Sequence, residues 1–124
     1  MARLTAGVAT SHVPAVGRAI DTGQTQSDYW KPLFDGFEFS RRWEESEKPD
    51  VVFLVYNDHA TAFSLDFIPT FAIVVAEDYA VADEGFGPRP VPAVAGHADL
   101  AWHIAGSVIE QDFDLTIVNR MDVD

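Results

Sequence analysis

Two uninterrupted apolar runs, Val51-Val52-Phe53-Leu54-Val55-Tyr56 and Phe71-Ala72-Ile73-Val74-Val75-Ala76, set the strongest limit on the architecture of this 124-residue chain. A strand with one wet face alternates apolar and polar side chains. A run that is apolar at every position reads instead as a strand covered on both faces, as in sheets with helices on either side. Phe113 to Asn119 reads as a further strand, and so does Leu4 to Thr10, rich in small and β-branched residues and closed by Pro14, which cannot continue a ladder. Between the strands the period changes. Asp28 to Lys48 sets Trp30, Leu33, Phe34 and Phe37 near one face at spacings of three and four. Pro32 sits early enough in that segment to be tolerated, Gly36 weakens its middle enough to allow two shorter helices, and Pro49-Asp50 stops it. Ala98 to Asp112 places Leu100, Ala101, Ile104, Ala105, Val108 and Ile109 on one face of a second helix. Residues 16–27 read as a loop with at most a short helical turn, and residues 83–96 as a long Gly/Pro-rich loop. The order predicts an α/β fold: a mixed, largely buried sheet flanked by helices.

Composition narrows the function. The chain is 48% hydrophobic, with nine Phe and three Trp, which is enough for a core. Its formal net charge of −12 argues against nucleic acid and against anionic membranes as partners. No segment reaches the roughly 20 apolar residues of a membrane span, and the first residues lack the apolar stretch of a signal peptide, so a cytoplasmic location is expected. There are no cysteines, so a transition metal here would use imidazole and carboxylate donors.

His12 and His59 each follow a predicted strand, and ligands of open α/β sheets bind outside the carboxyl ends of the strands. Two imidazoles and one carboxylate on one face of ferrous iron leave positions open for substrate and dioxygen. On pattern alone, however, a histidine at a strand end is more often a hydrogen-bonded structural residue, and no short spacing links these two. Asn57 and Asp58 flank the second histidine. They read equally as groups that orient a ligand or meet substrate and as residues that end a strand in a turn. His97 reads as a helix-start or surface residue and His103 as a core-edge one. Asp78, Asp83 and Glu84 are acidic residues near a strand end and loop that could in principle complete a metal site, and Arg89 is read as fixing its loop rather than as binding a carboxylate.

The segments Thr10-Ser11-His12-Val13-Pro14-Ala15 and Val55-Tyr56-Asn57-Asp58-His59-Ala60 resemble the two metal-ligand motifs of the class III extradiol ring-cleavage dioxygenases. The likeness is greatest to the protocatechuate 4,5-dioxygenase β-subunit branch. It continues through Ile68 to Ile73, Ala82 to Pro92 and Asn119 to Asp124. It implies that His12 and His59 ligate Fe(II), that the substrates are O₂ and a catecholic acid, protocatechuate first and gallate or methylgallate as the alternative, and that a small α subunit joins in an α₂β₂ assembly. It also implies that residues 1–124 are the N-terminal part of the catalytic α/β domain. The carboxylate ligand and the acid–base histidine then have no counterpart here, and no residue of the chain is expected to be the general base. A non-catalytic metal-binding or interaction module, or a zinc hydrolase, is the competing expectation.

Overall fold

The computed structural model describes residues 2–58, 60, 62–81 and 91–121. The chain divides into two compact units, Met1–Val52 and Phe53–Asp124.

The first unit holds helices α1 (Pro14–Asp21) and α2 (Lys31–Glu47). Pro14 opens α1 behind an extended Val13 (φ −60°, ψ 144°). Its fixed φ suits a first turn, and the N–H it lacks would have had no partner there. The segment read as loop from residue 16 therefore begins inside a helix, too short for its period to stand out in sequence. α2 runs unbroken across Gly36. Leu33, Phe34, Phe37 and Trp43 form its half-buried stripe, and the rings of Trp30, Phe34 and Phe37 meet edge to face at centroid separations of 6.5 and 5.7 Å. Aromatic contacts of this kind contribute about 0.5–1.5 kcal/mol each, enough to offset the roughly 1 kcal/mol helix penalty of one glycine. Lys48, left-handed at φ 46°, ends the helix just before Pro49.

The charged end of α2 is a side-chain network. Arg41 donates to Glu38 at 2.8 Å and to Glu45 at 2.9 Å, and Arg42 donates to Glu38 at 3.0 Å. The Arg41 hydrogen bond, then that of Arg42, lowers the Glu38 carboxyl from 4.5 to about 2. A depressed carboxyl contributes fully above its unfolded value, and that contribution disappears as pH falls from 4.5 through about 2. Circular dichroism is expected to show a small acid loss of helix over that interval, because exposed pairs are weak. The loss should flatten in high salt and be absent from Glu38→Gln.

The second unit contains β1 (Ala72–Val74), β2 (Asp78–Tyr79), β3 (Val94–Ala95), α3 (Ala98–Ile109) and β4 (Thr116–Val118). β1 and β4 pair in parallel, Ala72 opposite Thr116 and Val74 opposite Val118. Parallel neighbours need a long crossover, and this one includes the antiparallel β2–β3 pair and α3, which packs on β1. His97 starts α3 as its N-cap, Nδ1 accepting from the Leu100 N–H at 3.4 Å, in line with its reading as a helix-start residue. His103 is exposed rather than at a core edge. The buried centre of this unit is Val75, Ala76, Ala105 and Met121.

Among the described residues the sheet is two short pairs rather than one large buried layer. Leu4–Thr10 and Val51–Tyr56 are not strands. Leu4 is 97% exposed, and Leu54 and Val55 are 76% and 79% exposed. An apolar run becomes a buried strand only where a neighbouring backbone takes up its N–H and C=O groups. Among the described residues neither segment is paired with a strand. No helix among the described residues is long and apolar enough to cross a membrane.

Candidate functional site

The parallel pairing brings the residues after β1 beside the residues after β4. A cleft of about 360 Å³ lies there, lined by Ala76, Glu77, Asp78, Asn119, Arg120 and Met121, among others. Its position follows from topology, since backbone groups and side chains at the carboxyl ends of parallel strands face an open crevice. Its floor is apolar, with Ala76 and Met121 buried. Its rim carries two carboxylates, one amide and one guanidinium, all exposed.

One contact ties the Tyr56–Asp58 segment to this cleft. The Tyr56 hydroxyl lies 3.5 Å from the Met121 sulfur, the geometry of a weak O–H···S hydrogen bond. Next along the chain, Asn57 is exposed and Asp58 half-buried. The Asp58 carboxylate accepts the backbone N–H groups of Ala62 and Phe63 at 3.1 and 3.3 Å. Of the two readings of Asp58, the turn-forming one is therefore visible.

The predicted site residues are placed as follows. His12 is exposed, two residues ahead of the start of α1, and does not end a strand. His59 lies outside the described residues, as do Asp83, Glu84 and Arg89. Asp78 is described, and it stands on the cleft. Glu77, Asn119 and Arg120 were not picked out as site residues by sequence reasoning. The signal that could have found them is their position, immediately after apolar runs that end as strands of a parallel pair. Among the described residues no group of three His, Cys, Asp or Glu is close enough to hold a metal ion.

The fold around the cleft is that of an α/β protein with an open crevice at the carboxyl ends of parallel strands. Comparison with known proteins is more specific. The sequence profile described as the catalytic LigB subunit of aromatic ring-opening dioxygenase matches residues 6–124, and the chain belongs to that family. A 2,3-dihydroxyphenylpropionate/2,3-dihydroxicinnamic acid 1,2-dioxygenase from Rhodococcus sp is 27% identical over 116 residues, 94% of this chain and 34% of that protein. A gallate dioxygenase from Pseudomonas putida is 41% identical over 44 residues, 36% of this chain and 13% of that protein. The chain thus spans about a third of the length of the first of these curated relatives and less of the second.

The available donors suit the Fe(II) implied by the resemblance in kind. Imidazole and carboxylate are the ligands of non-haem iron, and no thiolate competes. Two imidazoles would fill only part of such a ligand set, and His59 lies outside the described residues.

Proposed function

We propose that this chain is part of an Fe(II)-dependent extradiol dioxygenase that opens the ring of a catecholic acid, and that His12 and His59 are two of its metal donors. The reading rests on the family match over residues 6–124, which includes both histidine motifs. Protocatechuate is the proposed substrate, cleaved between carbons 4 and 5 with O₂ to a carboxy-hydroxymuconate semialdehyde. Gallate is the second reading, favoured by the 41% identity to a gallate dioxygenase. In this reading residues 1–124 correspond to the N-terminal part of the catalytic domain, and a small α subunit completes a cytoplasmic assembly.

Ferrous iron, when bound, supplies chelation of the two catechol oxygens and an electron path to dioxygen. The chain's own contribution is positioning. His12 and His59 would offer neutral imidazoles, and the Tyr56–Met121 contact tethers the segment ahead of His59 to the strand-end cleft. Within residues 1–124 no group is assigned as the base for the catechol proton.

Absence of a general base typically lowers such a reaction about 10²–10⁴-fold. The chain, loaded anaerobically with Fe(II) and given protocatechuate and then oxygen, is therefore expected to form yellow semialdehyde slowly. Gallate in a parallel sample ranks the two substrates. Iron binding without product from either acid would make the chain a metal-binding module instead. Turnover at a full enzymatic rate would show that an acid–base group lies within these residues.

A further inference from the structure

Val51-Val52-Phe53-Leu54-Val55-Tyr56 joins six residues of high β propensity with no charge, no proline and no glycine. Val52 and Phe53 are 69% and 61% exposed, Leu54 and Val55 still more so, and among the described residues no strand pairs with the run. A segment of this composition that is open to solvent is a template for pairing with a copy of itself. The flanking charges select the direction. In a parallel, in-register pair Asp50 would lie against Asp50 and Asp58 against Asp58, and like charges directly opposite destabilise a pair. An antiparallel pair centred on Phe53 sets Val51 opposite Val55, Val52 opposite Leu54 and Asp50 opposite Tyr56, and it brings Lys48 level with Asp58 at both ends. Apolar side chains then oppose apolar ones through the centre, and the outer charges attract. We propose that residues 51–56 are a docking segment for a second copy of this chain, paired antiparallel about a two-fold axis at Phe53. The same patch serves on both copies, so the pairing makes a dimer. What opposes it is the net charge of −12 on each copy, a repulsion that salt screens. The inference does not depend on the metal reading of the histidines.

The test is sedimentation of the full chain over a range of concentrations, with single-cysteine variants as register markers, since the chain has no cysteine of its own. A concentration-dependent dimer is expected, stronger at high salt. Phe53→Lys sets like charges face to face on the axis and should weaken the dimer about tenfold or more. Val55→Lys, at a still more exposed position, repeats the test should Phe53→Lys not fold. Under mild oxidation Phe53→Cys should cross-link the two copies, because directly opposed residues lie about 4.5–5.5 Å apart at Cα, within reach of a disulfide. Val51→Cys should not, since its counterpart lies four residues, or roughly 14 Å, along the pair. Equal cross-linking of the two cysteine variants would overturn the antiparallel register. A chain that stays monomeric at every concentration would overturn the proposal and show that the run is covered from within the protein. A dimer left unchanged by the lysine variants would overturn it too, because the copies would then meet elsewhere.

Discussion

Alanine in place of either His12 or His59 is expected to remove most of the chain's affinity for ferrous iron. With no cysteine in the chain, the proposed site draws on few donors as strong as imidazole. Loss of one imidazole leaves too few donors to offset the dehydration of the ion. A drop of at least about 100-fold is expected, larger than the 10- to 100-fold typical of residues that merely orient ligands. Iron retained after anaerobic loading and desalting measures it directly. The His12 variant should keep the circular dichroism of the unaltered chain, because His12 is exposed and lies ahead of α1. Iron content unchanged in either variant would remove that histidine from the site.

Gly96→Ala should damage the second unit far more than Gly106→Ala, where an added Cβ meets nothing within 4 Å. A Cβ at position 96 would overlap the Ala76 carbonyl oxygen and come within 3.0 Å of a Tyr79 ring carbon. The obstructing atom is backbone, held by a buried neighbour, and the Gly96 N–H already donates to the Glu77 carbonyl at 2.7 Å. Relief therefore means parting β3 from the segment between β1 and β2, beside the cleft. Overpacking of this type costs about 1–3 kcal/mol or more, which in a unit of this size is a fall in Tm of roughly 10 °C. Gly36→Ala is the internal control. Position 36 lies inside α2 with nothing within 4 Å of a built Cβ, so the same substitution should stabilise by about 0.5–1 kcal/mol. Equal melting of the two variants would contradict the close approach at Gly96.

The legible parts of the fold are those whose cause is local. α2 and α3 form within a few residues of their predicted limits, since their hydrogen bonds run from each residue to one four positions away and their apolar stripes repeat at that interval. β1 and β4 fall inside predicted runs. Val51–Tyr56, more apolar than β1, is not a strand. The difference between the two runs lies in strand pairing: β1 has Thr116–Val118 beside it, while among the described residues no strand pairs with Val51–Tyr56. The same distinction holds at the site. The histidine motifs, and with them the family, were readable in the order of residues. That Glu77 and Arg120 line one cleft was not, because they are brought together by a pairing across more than forty intervening positions.

By itself, the sequence determined the helices, the kind of donor a metal could meet and the dioxygenase family, since side-chain type and short-range period act without reference to the rest of the chain. Only the tertiary structure decided which apolar run became a strand, where the cleft opened, and that the Asp58 carboxylate closes its own turn. Each of those depends on which backbone or carbonyl group comes within about 3 Å of another.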